Sequence, residues 1–268
     1  MGDRLDSGKI SGLILDLDGV IWRGDEPIGD LPAIFQQVRE AGLGTVFVTN
    51  NSTKTVDSYL EKFALLGLDV EPWQLITSAE ATASYLRGLT GAGKRVYVIG
   101  ERGLEDTLRA HGFEISMGDA SAVVVGLDRN FTYAKLAAGM ALVYNGAALV
   151  GTNPDTTLPV PGGLVPGAGA ILASIEAATG RKATVIGKPG IEMFNQAISR
   201  LRILPHESLA VGDRLDTDIA GGQASGCLTA VVLTGAATRA QAEAWVPKPT
   251  FIEADLAALV GTITKSTG

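Results

Sequence analysis

The chain has 268 residues, 46% hydrophobic and 19% charged, a globular composition long enough at about 150 residues per domain for one to two domains. Its 22 basic and 29 acidic residues leave a net charge of −7 with no basic block, which argues against nucleic acid as a partner, since that affinity comes largely from Lys and Arg on phosphates. A single cysteine, Cys227, excludes an intramolecular disulfide and a Cys-cluster zinc site, and two distant histidines, His111 and His206, make a His triad or multi-His metal site hard to build.

Residues 1–9 carry Asp3, Arg4 and Asp6 and no apolar stretch, so no secretory signal is read and the expected location is cytoplasmic. Leu13–Leu15 reads as a buried strand ending at Asp16. Asp30 caps a helix running to Glu40, which Gly42 stops. Val46–Val48 is the next strand, ending at Thr49, and Tyr59, Leu60, Phe63 and Leu66 mark one face of the helix after it. Thr77-Ser78-Ala79-Glu80 fits a capping box that opens a helix to about Leu89. Gly88-Leu89-Thr90-Gly91-Ala92-Gly93-Lys94 starts like a P-loop, but Arg95 stands where Ser or Thr is required, and the context is helix to strand, so it reads as a turn. Strands are expected at Arg95–Ile99, Ala122–Val125 and Ala148–Val150, with helices around Leu104–Ala110 and Tyr133–Val143 between them. A Pro- and Gly-rich loop, Pro159–Gly169, leads into a helix to about Thr179. A strand at Thr184–Ile186, a helix from Ile191, strands at Leu209–Val211 and Ala230–Leu233 and a helix near Leu256–Ile263 complete the chain. Short β-branched runs alternating with amphipathic stretches predict an α/β fold, a Rossmann-like doubly wound parallel sheet. No run of ~18 apolar residues appears, so no membrane span is expected.

Ligands of open α/β sheets gather at the carboxyl ends of the strands, and four such ends carry reactive residues. Asp16-Leu17-Asp18-Gly19 places two carboxylates two residues apart, one able to attack an electrophile while the other handles a proton, both able to approach a hard cation. Thr49-Asn50-Asn51-Ser52 offers a hydroxyl and backbone N–H groups to phosphate oxygens. Gly187-Lys188-Pro189 provides a compact positive charge. In Gly212-Asp213-Arg214-Leu215-Asp216-Thr217-Asp218, three acids crowd one strand end and would repel unless a cation joins them. Asp216 reads as a helix-start acid, with Asp213 as ligand and Asp218 as support. Singly, each segment also has an ordinary reading as a capped turn or a solvated charge.

In this order, Asp16-x-Asp18, Thr49, Lys188 and Gly212-Asp213 with Asp218 resemble the four-motif set of the haloacid dehalogenase-like superfamily. Asp16-Leu17-Asp18-Gly19-Val20-Ile21-Trp22, Thr49-Asn50-Asn51-Ser52, Pro166-Gly167-Ala168-Gly169 and Val211-Gly212-Asp213-Arg214 look like its p-nitrophenylphosphatase/NagD branch. Too few residues separate Asp16 from Thr49 for an inserted domain, whereas Thr49 to Lys188 leaves room for an α/β insertion of about a hundred residues. The resemblance implies a catalytic core at residues 1–79 and 183–268 with a type-2 cap at 80–182.

It further implies a Mg²⁺-dependent phosphatase acting on a small phosphorylated metabolite, with a homodimer left open. Asp16 would be the nucleophile that forms an aspartyl-phosphate, and Asp18 the acid and then the base. Thr49, Asn50 and Lys188 would bind phosphate. The Asp16 carboxylate, the Asp18 carbonyl and the Asp213 carboxylate would hold Mg²⁺, with Asp218 orienting its water shell. An acid at the +2 position favours C–O–P chemistry, because a dehalogenase needs none there. Asn153–Gly163, with Asn153 and Asp155, is the candidate substrate loop; it lacks the histidine that pyridoxal phosphate phosphatases carry there. The competing readings are a phosphotransferase or mutase using the same aspartyl-phosphate and a non-catalytic metabolite-binding relative.

Overall fold

A computed structural model describes residues 10–89, 94–160 and 162–265. Most of the Gly88–Lys94 turn and Pro161 of the candidate substrate loop thus lie outside the described residues. The chain divides into two compact units. The first comprises the chain through Thr49, Tyr59–Ile76 and the chain from Met193; the second comprises Asn50–Ser58 and Thr77–Glu192.

In the first unit, a six-stranded sheet runs Leu75–Thr77, Gly44–Thr49, Gly12–Asp16, Ser208–Gly212, Leu228–Val232, Phe251–Glu253 across its width, with the central pairs parallel. Numbered along the chain, that order is the Rossmann 3-2-1-4-5-6. Gly12–Asp16 and Ser208–Gly212 are buried throughout, as strands covered by helices on both faces must be. Each of Leu13, Ile14 and Leu15 is at most 1% exposed, and burying such a side chain stabilises the sheet by roughly 1.5–3 kcal/mol. A row of rings locks helix to sheet: Phe35 on Phe47 at 5.6 Å, Phe47 on Phe63 at 4.6 Å, and Phe63 on Trp22 at 5.1 Å between centroids.

The second unit holds a five-stranded parallel sheet ordered Thr184–Val185, Ala148–Gly151, Ala122–Val125, Arg95–Ile99, Glu114–Ile115. Read from the Glu114 edge this is the 2-1-3-4-5 order of flavodoxin-like sheets. Ile99, Val123, Val125, Leu149, Leu172 and Ile175 form its core.

The sequence predicts most of these elements, and the departures have physical causes. The Pro- and Gly-rich loop contains a hairpin, Thr157–Val160 with Gly163–Pro166; a two-stranded ribbon tolerates proline because neither strand is central. The three-residue strands Leu75–Thr77 and Phe251–Glu253 and the two-residue strand Glu114–Ile115 are sheet edges too short to show periodicity. The helix Ser78–Gly88 is capped by Thr77, whose hydroxyl accepts the Glu80 N–H at 3.1 Å. The Glu80 carboxylate does not complete the expected box, because it lies 2.8 Å from His111 Nε2. The units also meet the chain at junctions other than residues 79/80 and 182/183. Thr184–Val185 is an edge strand of the second sheet, and Asn50–Ser58 packs with that unit.

Candidate active site

In the first sheet, strand order reverses between Gly12–Asp16 and Ser208–Gly212, and the crevice outside the carboxyl ends of two such strands is where ligands bind. Asp16 ends one of these strands and Asp213 follows the other. With Asp218 they form a buried group in which one carboxylate oxygen from each residue lies within 4.8 Å of the other two. Unit charges at that spacing repel by roughly 3 kcal/mol per pair at an effective dielectric near 20.

Local backbone explains how three acids come so close. Leu215–Ile219 is a π-helical turn in which the Ile219 N–H donates to the Arg214 carbonyl at 3.2 Å. The widened turn brings Asp218 back over the strand end, where its Oδ2 accepts the Arg214 N–H at 3.1 Å. A Cβ on Gly212 would stand 2.1 Å from the Asp218 Cβ, so only glycine admits this return. Asp213 is gripped from the other side, its Oδ2 accepting the Ala236 N–H at 2.7 Å and its carbonyl the Ala237 N–H at 2.9 Å. A Cβ on Gly235 would fall 1.9 Å from that Oδ2, and one on Gly19, at φ +87, would fall 2.7 Å from it.

The donor set is therefore all oxygen, buried and cleared of side chains by flanking glycines. It fits a hard divalent cation and offers none of the nitrogen or sulfur that selects zinc. Asp218, expected as outer support, lies within the carboxylate group itself. The Asp18 carboxylate is not part of that group: its side chain is exposed and its Oδ1 accepts the Trp22 Nε1–H at 3.0 Å. Thr49 is buried at the end of its strand, at the same carboxyl edge.

The second unit gathers Asn50, Asn153, Asp155 and Lys188. The Asn50 amide pairs with both main-chain groups of Lys188: its Oδ1 accepts the Lys188 N–H at 2.8 Å and its Nδ2 donates to the Lys188 carbonyl at 2.9 Å. Nδ2 also donates to Asp155 Oδ2 at 3.3 Å, while the Asn50 carbonyl accepts from Asn153 Nδ2 and Ser78 Oγ, each at 2.7 Å. Asn153 Oδ1 in turn accepts the Asp155 N–H at 3.1 Å. Asn50 is thus the hub, and the two candidate substrate-loop residues are spokes on it. Lys188 itself is buried.

Sequence reasoning missed the backbone N–H groups of Ala236 and Ala237, which carry no side-chain signature. Trp22 closes the Asp16–Trp22 motif, and nothing in its sequence neighbourhood assigns it a task. Cys227 is buried, and burial pushes its thiol up to about 12, so it stays protonated and supplies no nucleophile at neutral pH. Among the described residues no helix is long and apolar enough to cross a membrane.

Known proteins place this arrangement. A model of the haloacid dehalogenase-like hydrolase family matches residues 13–114, and a second, HAD-hydrolase-like model matches residues 185–259. The glycerol-3-phosphate phosphatase of Gallus gallus is 36% identical over 254 residues, covering 86% of this chain and 81% of the relative. The p-nitrophenyl phosphatase from Archaeoglobus fulgidus superposes with a TM-score of 0.88 at 32% identity, over 95% of this chain and 99% of that one. NagD from E. coli K-12 superposes at 0.86 with 32% identity, over 93% and 98%. With two family models matching its two ends and relatives above 30% identity matched over most of their length, the chain belongs to the haloacid dehalogenase-like hydrolases, as a phosphatase of the p-nitrophenylphosphatase/NagD branch.

Proposed function

We propose that the protein is a Mg²⁺-dependent phosphatase that hydrolyses small phosphate monoesters through an aspartyl-phosphate on Asp16. The observation that carries this reading is the buried Asp16–Asp213–Asp218 group at the switch point of the first sheet. An Asp16 carboxylate oxygen attacks phosphorus, the phosphorus–ester oxygen bond breaks, and its electron pair leaves with the ester oxygen, which takes the proton of the Asp18 carboxyl. Asp18, now a carboxylate, then removes a proton from water as the water oxygen attacks phosphorus. The bond from Asp16 to phosphorus breaks, releasing inorganic phosphate and restoring both side chains. Lys188 and Thr49 hold the phosphoryl oxygens and offset their charge. The Asp16 and Asp213 carboxylates and the Asp18 carbonyl would hold Mg²⁺, with Asp218 beside them; when bound, the ion neutralises charge on the transferred group.

The second unit, Asn50–Ser58 and Thr77–Glu192, serves in this reading as the type-2 cap that carries specificity, and a cytoplasmic location fits a chain with one buried thiol. Small esters such as glycerol phosphate, phosphoglycolate and sugar phosphates are the substrate class in this reading, supported by the names of its relatives. The test is phosphate release from a panel of small esters, with and without EDTA, for the native chain and Asp16→Asn. Release that needs Mg²⁺ and Asp16 with water as the sole acceptor is expected. Release by the Asp16→Asn chain, or transfer to a second substrate in place of water, would overturn the reading.

A further inference from the structure

Trp22 is four residues beyond Asp18 and is 1% exposed, yet its Nε1–H has a carboxylate partner, Asp18 Oδ1, at 3.0 Å. A buried indole N–H needs an acceptor, and here it takes one oxygen of an otherwise exposed side chain. The ring cannot follow Asp18 about. It stacks on Tyr59 at 6.2 Å and 11°, tilts against Phe63 at 5.1 Å, and lies under Lys62, whose Nζ is 4.2 Å from the ring centroid. Lys62 is tied in turn to the Gly24 carbonyl at 2.6 Å. The loop between the two residues is equally fixed, with Ile21 and Trp22 N–H donating to the Leu17 carbonyl at 2.8 and 3.2 Å and Gly19 N–H to the Trp22 carbonyl at 2.7 Å.

The geometry points to Trp22 as the positioning residue for proton transfer by Asp18, an inference that rests on reading Asp18 as the general acid. Indole nitrogen is a donor only, so Oδ1 must accept in both protonation states of Asp18. The transferable proton therefore belongs to Oδ2, and the anchored Oδ1 fixes the direction in which Oδ2 presents it. As that proton moves to the ester oxygen, negative charge develops on the carboxyl and the Trp22 hydrogen bond becomes charge-assisted. It is then stronger in the transition state than in the ground state, which is the condition for accelerating a step.

Leaving groups separate this role from a structural one. p-Nitrophenolate leaves without a proton, whereas an alkoxide such as that of glycerol phosphate needs one. kcat/KM for p-nitrophenyl phosphate and glycerol phosphate is compared in the native chain, in Asp18→Asn, in Trp22→Phe, and in a chain carrying 3-benzothienylalanine at position 22, which keeps the ring and replaces N–H by sulfur. The ratio of the two constants does not depend on the fraction folded, and the isosteric analogue avoids the cavity that phenylalanine leaves. The expected result is a loss of about tenfold to a hundredfold on the alkyl ester, with less than about threefold on the aryl ester, in both Trp22 variants. Equal losses on both esters in the isosteric chain, or no loss on either, would overturn the inference while a selective Asp18→Asn loss left the general-acid reading standing. Unselective loss in Asp18→Asn would overturn that reading and the Trp22 role with it.

Discussion

Two doubly wound sheets share this chain, and their switch points differ in what fills them. In the first, the loops after Gly12–Asp16 and Ser208–Gly212 bring three carboxylates together, and Gly19, Gly212 and Gly235 each clear space that a Cβ would take from an aspartate. In the second, strand order reverses between Arg95–Ile99 and Ala122–Val125, and the chain's own Asn50–Ser58 segment is packed there. A Cβ on Gly126 would stand 2.9 Å from Ser52 Oγ, and one on Gly103 would stand 2.2 Å from the Thr53 carbonyl oxygen. A switch point thus makes a charged site in one sheet and a packed joint in the other. The sheet supplies the position and the strand-end residues supply the chemistry.

The comparison breaks first at the first edge. Asp16→Asn should lower phosphate release at least about a thousandfold without loss of folded protein, judged by thermal unfolding, because an amide is a poor nucleophile and a poor cation ligand. Lys188→Met should cost about a hundredfold in kcat/KM, the scale of losing one electrostatic contact to a transition state. Asn50→Ala should cost about tenfold by releasing the Lys188 main chain, and adding it to Lys188→Met should cost nothing further; additive losses in that cycle would show that Asn50 acts independently of Lys188. Gly235→Ala should raise the Mg²⁺ concentration for half-maximal activity about ten- to a hundredfold by displacing Asp213. Gly103→Ala should leave that concentration unchanged and lower Tm by several degrees, as overpacking against backbone at about 1–3 kcal/mol would. The smallest effect belongs to Cys227: incubation with iodoacetamide at neutral pH should leave activity intact, since the thiol is buried and protonated.

The first edge was largely legible because its signals are local. A buried strand running into Asp16-Leu17-Asp18-Gly19, and another into Gly212-Asp213, announce both the sheet and its reactive end within a few residues. The Asn50–Lys188 pairing spans 138 residues and leaves no local trace, so Asn50 reads from sequence as a phosphate ligand while its side chain is committed to the Lys188 main chain. From sequence Asp216 reads as a helix-start acid and Asp218 as outer support for Asp213. The π-helical turn separates them, leaving Asp216 exposed and 3.2 Å from Arg214 while Asp218 is buried beside Asp213. Trp22 was hidden for another reason: an aromatic after two apolar residues looks like core, and it is core on every side but its nitrogen.

Covalent transfer to Asp16 at the carboxylate edge of the first sheet is the step on which the proposed chemistry turns. Rapid quenching of the Mg²⁺-loaded protein with a phosphate ester labelled at phosphorus, followed by acid precipitation and peptide mapping, tests it most directly. Label is expected on the peptide containing Asp16, formed before free phosphate appears and lost in Asp16→Asn. Label on another residue, or labelled phosphate released with no labelled protein at any quench time, would contradict it.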